Sequence, residues 1–491
     1  MLLLHLALAQ GATWGPCVGM DTADEAECST VSVPEDYGNP GDAGVVNVTV
    51  ARLPARAPAT RHLWITAPNL GGSALAELDR WVDRDLPDDV ELYAVDHRGI
   101  GANRLACPVQ EALDSPGGSR IEAEEIGDCG THLEPLLGEL AFIDTTQSGG
   151  DLMEVSERLK NAETQVFFVG SGYGAFLLQR ALVLSGRPEG VILDGPWPDD
   201  ASVSTLDADI DRLARGILAV CDADDACVDR LSDPPDDLVD AFLEDPSGCD
   251  AFTGSADARR VLASVASGPP ELQGLLPAIL QRVVRCNHDD IDALLHLRST
   301  VDDWDDHPGG SAVTALHVAY GELWQSDAPS DSDSLASTGR SSALGLGLED
   351  WPLPFGPERP LYPVHRRPVL LLHPELAPLS EEVVGDRYPW EEHHQLDVPG
   401  AFGAATDTAC GQQLLLAFLD TPNSPPPPCK AELDFVGSAA IDARWLGVED
   451  RWGRGGCGCA QGGGSMTGWL WMACIGLVSR RRARPGRPRR R

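Results

Sequence analysis

The chain has 491 residues, 43% hydrophobic and 23% charged, which is enough apolar sequence for a large buried core and too much for a disordered polymer. Acidic residues outnumber basic ones 76 to 37, for a net charge of −39, and eight arginines crowd into Arg480–Arg491. A body this acidic repels phosphate backbones, so nucleic acid is excluded as a partner and the surface reads as a solvated acidic face.

Met1 to Ala9 (MLLLHLALA) is a short apolar run ending in a small-x-small pattern, as at a signal-peptide cleavage site, although no basic residue precedes it. Alternating or apolar β-branched runs predict strands at 45–52, 62–66, 90–95, 165–169 and 190–193, with amphipathic helices at 74–84, 150–161 and 174–186 between them. Strand–helix–strand alternation of this kind predicts an α/β fold, a mostly parallel sheet flanked by helices. Residues 200–320 change character, with helices expected at 206–220, 235–243, 258–266 and 272–284. The segment 326–347 is rich in Ser, Asp and Gly and reads as a loop. Strand signals return at 368–372 and 395–398, a helix follows near 412–418, and the proline run Pro425–Pro428 closes the domain. The expected organisation is a signal peptide over 1–9, a core in two parts (10–200 and 351–435), a helical lid with its loop over 201–350, a linker over 436–454 and a tail over 455–491.

Ten cysteines lie in the body of the chain, an even number that suits a disulfide framework in an exported protein. Nearest-neighbour pairing joins Cys17 to Cys28, Cys107 to Cys129, Cys221 to Cys227, Cys249 to Cys286 and Cys410 to Cys429; sequence alone does not fix the connectivity. No CxxC or His/Cys cluster of ligand spacing occurs in the body, so neither a metal nor a cofactor is expected.

Six segments carry a resemblance. CSTVSVPEDYGNP (28–40), DHRGIG (96–101), VFFVGSGYGAFLLQRAL (166–182), VILDGPWPD (191–199), PVLLLHPELAPLS (368–380) and VPGAFG (398–403) stand in this order over residues 14–432. Together they resemble the secreted tripeptidyl-aminopeptidase and proline-iminopeptidase group of α/β-hydrolases. The resemblance implies an α/β-hydrolase fold with a helical lid, and a catalytic serine, histidine and aspartate. In the frame of the G-x-S-x-G elbow, Gly170-Ser171-Gly172-Tyr173-Gly174 puts Gly172 at the nucleophile position. Pro374-Glu375-Leu376-Ala377-Pro378 puts Ala377 where the acid belongs, with Glu375 two residues away. Pro399-Gly400-Ala401-Phe402-Gly403 puts Gly403 at the histidine, and no histidine occurs after residue 394. The oxyanion loop reads Pro68-Asn69-Leu70-Gly71-Gly72-Ser73, in which Gly71 and Gly72 keep family positions.

Loss of nucleophile and base removes about 10⁶-fold of rate in a triad hydrolase. The expectation is therefore a catalytically degenerate homologue that binds a peptide or small-molecule ligand. One alternative is a hydrolase re-sited on Ser171 with His288, His296, His307 or His317 as base; another is a structural envelope protein. Asp96, Arg98 and Asp194 are expected to be structural, with Asp96 and Arg98 pairing at a strand end, and Tyr173 to pack beside the elbow. The acidic run Asp302–Asp306 is expected to be a solvated face.

The tail joins a Cys pair (Cys457, Cys459), a 13-residue apolar run (Met466–Val478) and the arginine cluster. It resembles the myxobacterial-type C-terminal sorting signal. That resemblance implies processing near Cys457 or Cys459 by sorting machinery and attachment to the membrane at the cell surface.

Overall fold

Nine strands form one sheet: β1 (Gly15–Pro16), β2 (Glu27–Pro34), β3 (Val45–Leu53), β4 (Arg61–Ile65), β5 (Val90–Asp96), β6 (Gln165–Ser171), β7 (Gly190–Asp194), β8 (Val369–Leu376) and β9 (His393–Phe402). Their order is β1-β2-β3-β5-β4-β6-β7-β8-β9. The first three pair antiparallel with one another and onto β5, and everything from β5 to β9 is parallel. This is the α/β-hydrolase arrangement. The computed structural model describes residues 12–20, 22–41, 44–112, 114–116, 121–184, 188–198, 201–305, 309–324, 334–339, 351–352, 367–378 and 393–453. The expected signal peptide, His307, Cys457, Cys459 and the tail lie outside them.

Period-2 alternation sends successive side chains of each strand to opposite faces. Trp64, Phe168, Leu193 and Leu371 point into one core with helices Thr145–Leu159 and Tyr173–Leu184. Leu63, Phe167, Ile192 and Leu370 point into the other with helices Ala74–Val82 and Ala409–Asp420. A third core is mainly helical, built by Leu206–Asp222, Pro235–Glu244, Ser255–Ser267, Leu276–Arg285 and His288–Asp305. All five nearest-neighbour disulfides are formed, with Cα separations from 4.9 to 5.7 Å.

Several expectations need correction. The helix expected over 272–284 is two pieces, Pro270–Gln273 and Leu276–Arg285, broken at Gly274. The helix expected from residue 150 begins at Thr145, where the Asp144 side chain accepts the Gln147 N–H as its N-cap. His393 and His394 do not precede the last strand but open it, opposite Val369 and Leu370 at the end remote from the elbow. Residues 436–454, expected as a linker, contain helix Ala439–Leu446, and Trp445, Leu446, Arg451 and Trp452 are buried against the helical core. Helix Ala312–Glu322 leaves that core and packs on the sheet side, over the loops at Gly71 and Gly99.

Candidate functional site

β6 delivers the chain to the elbow at the C-terminal edge of the sheet, and helix Tyr173–Leu184 starts immediately after it. Gly172 has φ +51°, the left-handed conformation that a side-chain-bearing residue adopts only under strain. The elbow backbone is thus retained, and the residue on it carries no nucleophile.

The backbone around it is already engaged. In hydrolases of this type the N–H after the nucleophile helps to hold the oxyanion. Here the Tyr173 N–H donates to the Pro68 carbonyl at 3.0 Å. A Cβ on residue 172 would stand 3.1 Å from that same carbonyl oxygen and 3.7 Å from Trp197 Nε1. The Gly72 N–H closes a turn on the Asn69 carbonyl at 3.0 Å, and the Gly71 carbonyl accepts the Ser311 N–H at 2.8 Å. Both glycines expected in the oxyanion loop are therefore built into a turn and a helix contact. Beneath the elbow, Thr66, His97, Ser148 and Tyr173 help to line a cavity of about 10 Å³, room for one water.

The other two family positions lie on adjacent loops, since the Gly403 N–H donates to the Leu376 carbonyl at 2.8 Å. Ala377 follows β8 and faces Gly195. Glu375, the neighbouring acid, accepts the Gly400 N–H at 2.7 Å and is committed to that bond. Gly403 has φ +81°, and among the described residues a Cβ there would meet the Gln273 amide, at 3.5 Å. Gln273 comes from the helical insertion, is fully buried, and donates to the Phe402 and Ala266 carbonyls at 2.7 and 3.0 Å. A side chain from the helical insertion thus covers the position where the family resemblance expects a histidine.

Asp194, at the end of β7, fixes the loop that follows Gly403. It accepts the Ala405 N–H at 2.9 Å and both the N–H and hydroxyl of Thr406 at 2.7 Å. Burial outweighs those bonds and pushes its carboxyl up to about 6. Tyr173 is buried, with its hydroxyl 3.0 Å from Thr145 Oγ1, and burial raises its phenol well above the ordinary range. Glu322 accepts the Thr145 N–H at 2.7 Å. Burial, with Asp144 nearby, pushes that carboxyl up to about 7.

Ser171 ends β6 opposite Asp194, and by alternation it shares the face of Phe167 and Val169 rather than the direction of residue 172. The described candidate bases are held elsewhere. His288 is exposed beside Asp292, and His296 Nε2 lies 3.1 Å from the Arg444 carbonyl. His317 Nε2 donates to the Leu140 carbonyl at 3.1 Å, and its Nδ1 accepts Trp351 Nε1–H at 3.3 Å. Burial pushes this ring down to about 4, so it is neutral near pH 7.

Asp96 and Arg98 are structural but do not pair with each other. Asp96 accepts the Ser73 hydroxyl at 2.8 Å and the Leu75 N–H at 3.2 Å. Arg98 is buried in a two-bond pair with Asp151 at 2.6 and 3.0 Å and also donates to the Pro34, Glu35 and Phe142 carbonyls. Sequence reasoning missed the Pro68 carbonyl and Gln273; a backbone oxygen and a lone glutamine carry no signal there. Trp197 stood inside a quoted motif without a role.

No family model matches the chain, and no curated protein matches it. Among solved structures it is similar to an epoxide hydrolase from Bacillus megaterium, at 11% identity over 77% of this chain and 98% of that one, with a TM-score of 0.34. A proline iminopeptidase-related protein from Thermus thermophilus matches at 14% identity over 81% and 99%, with a TM-score of 0.33. An esterase from Exiguobacterium antarcticum matches at 11% identity over 82% and 98%, with a TM-score of 0.31.

Proposed function

We propose that this is an exported, surface-attached α/β-hydrolase-fold protein, akin to the tripeptidyl-aminopeptidase group, that binds a peptide or small molecule without cleaving it. The observation that carries the reading is the elbow itself. Gly172 offers no nucleophile, and the adjacent N–H that would stabilise an oxyanion is held by the Pro68 carbonyl. Two further features support it: Ala377 and Gly403 provide neither acid nor base, and Glu375, two residues before Ala377, is tied to Gly400. The support for binding is the Trp197 indole N–H beside Gly172, a donor for a ligand oxygen. Five disulfides accord with export. Membrane attachment rests on the tail's sequence alone; among the described residues no helix is long and apolar enough to cross a membrane.

The test is fluorophosphonate labelling of the purified protein beside a Ser171→Ala control, followed by a peptide-library screen read by thermal shift. The expected result is a folded, unlabelled protein whose melting temperature rises with some peptides. Labelling that vanishes in the control would overturn the reading in favour of a hydrolase re-sited on Ser171. A folded protein that neither labels nor binds would point to the structural envelope role.

A further inference from the structure

The chain beyond the last core helix folds back across the helical insertion. Ala431 N–H donates to the Pro399 carbonyl at 2.9 Å. The Asp434 carbonyl lies so close to Gly274 that no side chain fits there. Helix Ala439–Leu446 then buries Trp445 and Leu446 in the helical core. The turn back brings Arg451, 1% exposed, between Asp442 and the insertion. Its Nε donates to Asp442 Oδ1 at 2.7 Å, and its Nη1 reaches the carbonyls of Asp434 at 3.1 Å and of Phe435 and Gly274 at 3.3 Å.

Helix Leu276–Arg285 completes the grip by reading three successive backbone carbonyls. Arg282 donates to the Asp450 and Arg451 carbonyls at 2.7 and 2.8 Å, and Arg285 to that of Trp452 at 3.3 Å. Gln281 reaches the same Trp452 carbonyl at 3.4 Å. Asp290 pairs with both arginines, at 2.9 and 2.5 Å. Arg282, buried, and Arg285, at the surface, share Asp290 and aim their remaining donors at the backbone of an irregular segment, which holds that segment whatever its side chains.

Gly274, gripped by Arg451, directly follows Gln273, the residue that covers Gly403. We propose that residues 431–453 form a closing strap, which fixes the 270–275 turn and so holds the insertion shut over the elbow. Releasing the strap swings Gln273 away and opens the space at Gly403. The proposal rests on the reading of the covered elbow as a binding site, whereas its test does not use a ligand.

Hydrogen exchange of the full chain, resolved by peptide, compares wild type with Arg451→Met and Gln273→Ala. For Arg451→Met, exchange is expected to rise at least 10-fold in residues 270–285 and 400–405, with β4, β6 and β7 unchanged. Gln273→Ala is expected to speed exchange at 402–404 alone and to leave 436–453 protected. The strap proposal is overturned if Arg451→Met frays 436–453 while 270–275 stays protected, or if exchange rises uniformly across the chain. Should Arg451→Met not fold, Asp442→Asn replaces it under the same criteria. A failed ligand screen alongside the expected exchange pattern would count against the binding reading and leave the strap standing.

Discussion

Putting the serine back tests the elbow most directly. Gly172 sits at φ +51°, and a side-chain-bearing residue there costs about 1–2 kcal/mol relative to glycine. Its new Cβ would stand 3.1 Å from the Pro68 carbonyl oxygen, which must retreat by a few tenths of an ångström. That retreat strains the 3.0 Å bond from the Tyr173 N–H, worth about 1 kcal/mol. Gly172→Ser is therefore expected to lose about 2–3 kcal/mol of unfolding free energy in urea titrations, and Gly172→Ala about the same. The serine variant is also expected to remain unlabelled by fluorophosphonate, because no base stands at residue 403 to take its proton. An unchanged stability would refute the assignment of strain to this turn. Labelling of the introduced serine would refute the argument that base and oxyanion donor are both missing.

Other substitutions probe the groups around the site. The Asp194 carboxyl is raised from 3.8 to about 6 on folding, so its contribution is greatest at low pH and declines as pH rises through that window. The stability gap between wild type and Asp194→Asn is expected to shrink by about 2 kcal/mol from pH 4 to pH 6.5 in denaturant titrations, and a gap that widens would contradict the burial argument. His317 has the opposite sign: lowered from 6.5 to about 4, it contributes fully above pH 6.5 and loses that contribution as pH falls toward 4. Its ring resonances are expected not to titrate between pH 5 and pH 8, and a midpoint near 6.5 would mean that the ring is solvated. Arg98→Met strands the Asp151 carboxylate in the core and is expected to cost about 3–5 kcal/mol, most of it recovered in the Arg98→Met/Asp151→Leu double variant. A double variant no better than the single one would show that the arginine's bonds to the three carbonyls matter more than the charge.

The parallel strands were legible because a strand buried on both faces is largely apolar, and VELYAV and QVFFV are short, β-branched and aromatic runs of that kind. β2 was not, since its exposed Thr30 and Ser32 and the acidic stretch before it hide the half-buried alternation of Ser29, Val31 and Val33. Local loops made the disulfides easy to pair. Helix Ala312–Glu322 escaped notice because it is covered on most sides and so lacks a polar stripe to set its period. The strap was hardest to see. Its anchor residues are Arg451, Asp442 and Arg282, which are hydrophilic in any sequence reading, and they are buried because each charge finds its partner and each carbonyl a donor.

The candidate site followed the same rule: side-chain chemistry could be read and backbone chemistry could not. Glycine at 172 and 403 announced what was missing, while nothing in the letters announced that Pro68 would fill the oxyanion position. Both glycines stand at positive φ, +51° and +81°, where any other residue pays in strain. Glycine at each position therefore relaxes its turn by about 1 kcal/mol relative to a side-chain-bearing residue. The loop after Gly403 needs no catalytic histidine to keep its shape, because Asp194 holds it from the end of β7. An elbow without a nucleophile is, on this argument, a relaxed structure in its own right.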